Sequence, residues 1–389
     1  MLSGICRLSI LRLEKGDKVK YPCFLPIMAG LMSFTSDVTA SDPSVELLAS
    51  IDGETGAAAA RSAVQKLSSG GAANLMSVLN GFQDATPLGA NWLRNAFETI
   101  ASGETAAGRD LPAEQLTRFI QDTANAPVAR RLVYEWLLRQ DETLEQRLIP
   151  GFLEDVHPDF RRDAVALLIA RATSVQNDLA VPLYRRALRG AVHDDQVKVI
   201  AEALETVGQP VNLQKHFGFL PAWKIVGPFD NRQMNGFAAA YGPETDPDLK
   251  STYDGQLGRV SWQDISTDDS YGIVNIAQQI ENYKGSLMYA ATTFHSTDER
   301  EIEFRLGTPN AWKLWVNGEL IFEREEYHRG TRMDQYRIPV SLGAGENTIM
   351  LKVCQNEQEQ DWAQRYQFQL RVVDSSGAAV LSSGENHEQ

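Results

Sequence analysis

Aromatic side chains are the residues of this sequence best suited to bind a ligand. Sugars are bound by Trp or Tyr rings that stack on their C–H faces, while neighbouring polar groups fix the hydroxyls. We interpret five aromatic residues, on predicted loops or on an outward strand face, as a candidate carbohydrate-binding site: Trp262, Trp315, Tyr327, His328 and Trp362. For the tryptophans, burial as structural residues is the interpretation we favour over a ligand platform.

Residues suited to catalysis are less distinctive. The sequence contains no HExxH motif, no G-x-S-x-G motif, no Walker A loop and no CxxC pair. A glycosidase needs two carboxylates facing each other across a cleft, and among 51 acidic residues no pair stands out. Glu325 and Glu326 adjoin Tyr327 and His328, where we predict an exposed charged loop. We therefore predict a protein that is not an enzyme, and an enzyme is the less favoured alternative.

Candidate metal ligands lack the spacing that a coordination site requires, and we predict no cofactor. His157 and His193 have no second ligand four residues away, so we interpret them as equivalent positions of a structural repeat. Oxygen ligands for Ca²⁺ could come from several aspartates, but without spacing typical of a calcium loop: Asp246, Asp248, Asp264, Asp268 and Asp269.

Composition is typical of soluble globular proteins. Of 389 residues, 43% are hydrophobic and 23% are charged, and the net charge is -14 at pH 7. No cluster of Lys or Arg offsets this acidity. We therefore predict no binding to nucleic acid or to anionic membranes.

The first 40 residues predict a secretory signal peptide, with a disordered leader or a misassigned start codon as alternatives. Basic residues precede an apolar run, Cys23 to Phe34, and small residues follow up to Ala40. The apolar run is too short to span the ~30 Å of bilayer hydrocarbon, so we predict no membrane span. The expected location is secreted, periplasmic or on the cell envelope. Removal of the leader leaves Cys354 alone, which excludes an intrachain disulfide.

From Ser44 to Val207 the apolar residues recur at helical spacing. One stripe, Val128 to Leu137, is typical of a helix with one buried face. Short motifs also recur: Val156-His-Pro-Asp159 is echoed 36 residues later by Val192-His-Asp-Asp195. Such helix pairs need neighbours to cover their apolar faces, which predicts a solenoid.

Arginines occupy related positions in these repeats. Arg130 and Arg131 precede Arg161 and Arg162 by 31 residues, after Pro127 and Pro158. They could form a basic ridge that binds a partner, but we favour pairing with carboxylates of neighbouring repeats. Spacing and pattern resemble HEAT or armadillo-type helical repeats, and this resemblance implies a protein partner on the helical repeats.

From Pro221 the period changes to strict alternation. Trp312, Leu314 and Val316 share one strand face, which we predict to be the core, whereas Trp315 points the other way. Trp315 is then either a ligand platform or covered by residues 231–283, and we favour the covered position. Asn317-Gly318 predicts a tight hairpin turn. Many such short strands predict an antiparallel β-sandwich or jelly roll.

Four segments of this half resemble the galactose-binding-like jelly-roll family. They are Trp223-Lys-Ile-Val-Gly-Pro-Phe229, the Trp-Val-Asn-Gly hairpin within Lys313–Leu320, the strand pair Leu342–Val353, and Arg371-Val-Val-Asp374 with Gly377. The resemblance implies a jelly roll of the kind that often stands beside glycosidase domains. One departure concerns the loop before the hairpin: many relatives have Asp-Asp-Gly, and this chain has Gly307-Thr-Pro-Asn310. Any ligand or ion role of that loop in relatives is therefore in doubt here.

These observations predict an α-then-β organisation and a binding function. The predicted parts are the leader 1–40, a helical repeat domain 42–208, a linker 209–222, a β-sandwich 223–377 and a disordered tail 378–389. We expect an extracytoplasmic protein whose jelly roll binds a glycan or envelope polymer. The alternative is a purely structural protein–protein scaffold that binds no sugar.

Overall fold

The fold is described from a computed structural model over residues 42–53 and 56–383. The predicted signal peptide, residues 1–40, lies outside the described residues. The described chain is helical up to residue 217 and folds into antiparallel sheets from residue 222 onwards. The helical region consists of α1 Pro43–Ala49, α2 Ala57–Ser69, α3 Leu75–Asn80, α4 Pro87–Ala106, α5 Ala113–Gln121, α6 Pro127–Leu138, α7 Leu144–Leu148, α8 Pro158–Thr173, α9 Asn177–Gly190, α10 Asp194–Glu205 and α11 Leu213–Phe217.

The predicted apolar stripes form the core of the helical region. On α6, Leu132, Val133 and Leu137 are buried, whereas Val128 in the first turn is 47% exposed. Helices α6 and α8 begin at Pro127 and Pro158, where the missing N–H would have had no intrahelical partner. Helix α9 packs against both α8 and α10.

Related contacts join α6, α8 and α10. Arg131 reaches Asp163 at 2.5 Å, and Arg162 reaches Asp195 at 2.5 Å, 32 and 33 residues along the chain. The buried pair Arg130–Asp155 is bidentate. Arg130, Arg131 and Arg162 thus pair with carboxylates, as predicted: Asp155 in the loop before α8, Asp163 on α8 and Asp195 on α10. These three arginines do not form a free basic ridge. Assignment to HEAT or armadillo repeats stays a prediction.

The remaining arginine and the two histidines take local roles at helix starts. Arg161 donates from Nε to the carbonyl of Asp155 at 2.6 Å. His157 and His193 occupy the position just before α8 and α10, with extended backbone in both cases. The two histidines are thus equivalent, as the sequence echo predicts.

The β region contains a six-stranded sheet in the order β4-β1-β6-β11-β8-β9, a four-stranded sheet in the order β10-β7-β12-β5, and the hairpin β2–β3, all antiparallel. We call the two larger sheets, with the core between them, the sandwich. The strands are β1 Ala222–Asp230, β2 Thr252–Gly255, β3 Gly258–Ser261, β4 Gln263–Ser266, β5 Val274–Asn275, β6 Ser286–Ser296, β7 Arg300–Gly307, β8 Ala311–Val316, β9 Glu319–Arg324, β10 Tyr336–Leu342, β11 Gly345–Gln355 and β12 Gln367–Val373, and two short helices, α12 Gly242–Thr245 and α13 Ile276–Gln279, interrupt them.

Alternation along the strands produces the sandwich core. Trp312, Leu314 and Val316 are buried there together with residues from both sheets, as the sequence predicts. The hairpin turn between β8 and β9 is also confirmed, because Asn317 and Gly318 have φ of 51° and 83°. Assignment to the jelly-roll topology of the galactose-binding-like family stays a prediction.

The predicted linker, and the part of the predicted tail that the structure describes, pack against the rest of the chain. Within residues 209–222, α11 buries Phe217, whose carbonyl accepts a hydrogen bond from Arg371 of β12. His216 lies 2.9 Å from the carbonyl of Ala191 in the helical region. Of the predicted tail, residues 378–383 are described, and Ala379 forms a β-bridge with Val373.

Candidate functional site

Trp315 and Trp262 belong to a second apolar cluster on the outer face of the six-stranded sheet. Trp315 is 8% exposed and packs in this cluster with Phe237 and Tyr253, which the excursion of residues 231–283 supplies. Trp262 packs against the same cluster, with Nε1 3.4 Å from the Tyr253 hydroxyl. The Trp315 ring is therefore covered and not free to stack on a sugar. Trp262 belongs to the covering excursion itself and is half-buried against the cluster, away from the other three candidates.

A buried charge fixes this cover. Lys352 of β11 is 0% exposed, and its ammonium donates to the carbonyls of Phe237 at 3.1 Å and Ala239 at 2.7 Å and to Glu244 Oε1 at 2.8 Å. Three donors thus meet three acceptors. The Tyr289 hydroxyl also donates to Glu244. Burial, and to a lesser extent this hydrogen bond, raises the pKa of Tyr289 far above its usual range.

The other three candidates, Tyr327, His328 and Trp362, lie together. The ring centres of His328 and Trp362 are 5.1 Å apart with an interplanar angle of 86°, and those of Tyr327 and His328 are 6.4 Å apart. Trp362 is 59% exposed, whereas Tyr327 and His328 are half-buried. We call these three residues the aromatic loop site. They stand on two loops, the β9–β10 loop and the β11–β12 loop, that the sequence alone could not bring together.

Hydrogen bonds set the orientation of the two half-buried rings. The backbone N–H of His328 donates to the carbonyl of Pro309 at 2.6 Å, and its Nε2 lies 2.7 Å from Asn356 Oδ1. Because an amide oxygen only accepts, Nε2 carries the proton in this contact. The Tyr327 hydroxyl accepts from Asn231 at 3.2 Å. Sequence reasoning missed Asn231 and Asn356, since nothing in the sequence distinguishes them from other polar loop residues.

The loop that departs from the family pattern, residues 307–310, is hydrogen-bonded to the β11–β12 loop that carries Trp362. Asn310 is 1% exposed and donates to Gln355 Oε1 at 3.4 Å and to the carbonyl of Arg365 at 3.3 Å, and its Oδ1 accepts from the Gln367 N–H at 3.1 Å. Thr308 donates to the carbonyl of Gln367. The segment 307–310 is therefore a buried anchor that joins β8 to the β11–β12 loop.

Strained backbone accompanies the site. His328, Gln233 and Met234 have φ of 59°, 58° and 62°, in the left-handed region that non-glycine residues adopt at a cost of about 1–3 kcal/mol each. The N–H of Gln233 bonds Glu357, which ties the loop after β1 to the β11–β12 loop. Asn231, 0% exposed, donates to the Gln355 carbonyl, and its Oδ1 has no partner among the described residues. Several contacts thus hold three loops in one arrangement.

Electrostatics beside the aromatic loop site favour an ionised carboxylate. Glu326 accepts from Arg329 at 3.0 and 3.2 Å, and this bond, with help from Arg324, lowers the pKa of Glu326. Burial raises the pKa of Tyr327 well above its usual range, so this phenol stays neutral. A cleft of about 370 Å³ adjoins these groups and is lined by Glu326, Arg329, Gly330, Thr331, Arg332, Gln335 and Tyr336.

Residues 42–53 and 56–383 contain no group of three or more His, Cys, Asp or Glu side chains placed to hold a metal ion. Of the aspartates considered for Ca²⁺, Asp264 pairs with Lys224 at 2.6 Å, and Asp269 accepts the N–H of Tyr271. In the same residues no helix is long and apolar enough to cross a bilayer.

Comparison with known proteins assigns no family. No family model matches the chain, and no curated protein matches it. Among solved structures, a β-glucosidase from Kluyveromyces marxianus in complex with glucose is 12% identical, with 32% of this chain and 15% of that chain covered and a TM-score of 0.24. A family 35 carbohydrate-binding module from Clostridium thermocellum is 12% identical over 23% of this chain and 71% of that chain, with a TM-score of 0.18.

A further neighbour is a β-glucuronidase from an uncultured Clostridium sp., 14% identical over 40% of this chain and 28% of that chain, with a TM-score of 0.24. The chain thus spans only a small part of the glycosidases with which it was aligned. The neighbours include carbohydrate-binding modules and glycosidases, at TM-scores too low to support an argument about function.

Proposed function

We propose that this chain is a non-catalytic binding protein and that its sandwich holds a carbohydrate at the aromatic loop site. The observation that carries the proposal is the state of Trp362. Its side chain is 59% exposed, yet the His328 ring stands nearly perpendicular to it, with 5.1 Å between the two ring centres. A ring that is both accessible and held in one orientation binds a sugar face with little further loss of side-chain entropy.

The surroundings of Trp362 suit sugar hydroxyls. Glu357, Gln358 and Asp361 are exposed on the same β11–β12 loop and offer carboxylate and amide groups. This loop is tied to its neighbours through Asn356 and Glu357. A shallow platform with polar groups at its edge is the arrangement expected of a binding module.

The ion pairs of Glu326 beside the site favour a binding role over hydrolysis. A glycosidase needs one carboxyl with a raised pKa to protonate the leaving group. The pKa of Glu326 is instead lowered by Arg329. An extracytoplasmic location and a protein partner on the helical region remain parts of the proposal.

The test uses the full chain on a glycan array, followed by calorimetry with the retained sugar. We expect Trp362→Ala to weaken binding about tenfold or more, the equivalent of ~1.4 kcal/mol, while the melting temperature stays within a few degrees. Leu257→Ala is the matched control, because it also removes an exposed apolar side chain, 70% exposed at the β2–β3 turn.

Two outcomes would count against the proposal. Retention of no sugar at millimolar concentration would favour the scaffold alternative. Unchanged sugar binding by Trp362→Ala would place the carbohydrate elsewhere on the chain.

A further inference from the structure

Three arginines stand side by side on the four-stranded sheet. Arg337 of β10 pairs in register with Arg305 of β7, which pairs in register with Arg371 of β12. Like charges directly opposite each other on neighbouring strands destabilise a sheet. The row therefore needs anions close to it.

Protein carboxylates neutralise only one end of this row. Asp334 accepts from Arg371 at 2.5 and 2.6 Å and from Arg305 at 2.9 Å, and Glu303 accepts from Arg305 at 2.5 Å. Arg337, at the other end, has no carboxylate within 4 Å among the described residues, and the same is true of the nearby Arg332.

The unpaired end of the row opens into a cleft of about 820 Å³ between the sandwich and the start of α10. Arg305, Arg332 and Arg337 line it together with Asp334 from the sandwich, and His193 and Asp194 line it from the helical side. Asp194 is engaged, since it accepts from the Tyr271 hydroxyl at 2.8 Å. His193 Nε2 is buried and has no hydrogen-bond partner among the described residues. The cleft thus combines two guanidinium groups, unpaired within the described part of the chain, with a histidine side chain from the helical side.

We propose that this cleft binds an oxyanion, the carboxylate or phosphate group of a small ligand. Arg332 and Arg337 supply the charge, because guanidinium forks match carboxylate and phosphate oxygens. His193 supplies a contact from the helical side, so that the ligand bridges both regions. The site is separate from the aromatic loop site and does not depend on carbohydrate binding there.

The test is calorimetry of the full chain with two probes, inorganic phosphate and glucuronate. We expect Arg332→Gln/Arg337→Gln to weaken binding of the preferred probe about tenfold or more, as for loss of a charge-assisted hydrogen bond. The control is Arg171→Gln/Arg186→Gln, which removes two exposed arginines outside the cleft that also lack an acidic partner among the described residues.

A second variant, His193→Asn, removes the ring but keeps a side chain suited to the start of a helix, and it should also weaken binding. Tighter binding of phosphate would assign a phosphate ligand, and tighter binding of glucuronate a carboxylate ligand. Trp362→Ala should leave either result unchanged, which separates this site from the carbohydrate proposal. Absence of binding by both probes at millimolar concentration, or equal weakening in the control, would overturn the inference.

Discussion

The inner faces of the sandwich and parts of its outer faces are buried, but by different kinds of contact. Between the sheets the strands present apolar side chains such as Trp312 and Phe304, each 0% exposed. On the outer faces buried cations stand among the apolar residues. Lys352 holds the excursion of residues 231–283 to one sheet, and Arg371 holds α11 to the other.

The two kinds of contact differ in how precisely they position the segments that they join. Apolar packing is not directional, so alternation alone places the inner side chains. A buried cation must find acceptors in fixed positions, because an unpaired buried charge costs several kcal/mol. Lys352 and Arg371 therefore select which segment covers each outer face and in what position.

The largest expected effect concerns the inner face. Trp312→Ala should lower the free energy of unfolding by about 3–5 kcal/mol, because it empties a large, fully buried site that the surrounding strands cannot close. Chemical denaturation of the full chain measures this loss. Trp362→Ala is the matched control, with the same truncation at a 59% exposed position. A loss below about 1 kcal/mol would contradict a tightly packed inner core.

The outer face of the same strand should be nearly as sensitive. Trp315→Ala should cost about 3 kcal/mol, because Phe237 and Tyr253 cover its ring and would line the resulting cavity. The measurement is a thermal and chemical melt beside Trp312→Ala and the exposed control. An unperturbed melt would mean that the excursion leaves the sheet in solution, and it would restore Trp315 as a candidate ligand platform.

The inner face was open to prediction from the sequence, and the outer covers were only partly so. The alternation in Trp312, Leu314 and Val316 indicates a strand with one apolar face, and Asn317-Gly318 indicates its turn, because both depend on neighbouring residues alone. The covers depend on contacts between distant residues, such as Lys352 with Glu244 across 108 positions. The sequence favours coverage of Trp315 but does not indicate how the cover is attached to the sheet.

The candidate site was likewise only partly predictable from the sequence. Residue type identified Tyr327, His328 and Trp362 as suited to a sugar, and the structure brings them together. Residue type alone could not exclude Trp262 and Trp315, because the local sequence does not show whether residues 231–283 cover the sheet or leave it free. Burial in that case is decided by where residues 231–283 pack.

The smallest effect depends on pH and concerns the outer face that Arg371 shares with Arg305. Burial alone would raise the pKa of Asp334, but the hydrogen bond from Arg371 and the charges of both arginines outweigh it and lower the pKa. The unfolded chain has a carboxyl pKa of about 3.9. A lowered folded-state pKa means that the ionised carboxylate stabilises the fold above about pH 4, and that this contribution is lost as pH falls through the folded-state pKa.

Asp334→Asn tests this contribution, since asparagine tolerates the φ of 57° at this position. At neutral pH the variant should lose about 2 kcal/mol, because two buried guanidinium groups lose their shared anion. The difference from the unaltered chain should shrink below about pH 4, where the Asp334 carboxyl of the unfolded chain begins to protonate while that of the folded chain is still ionised. Urea unfolding from pH 3 to 7 measures both the loss of stability at neutral pH and its decrease at low pH. The control Asp298→Asn disrupts an exposed pair with Arg300 and should change stability little. A stability difference for Asp334→Asn that stayed constant across this pH range would show that Asp334 acts through shape and not through its charge.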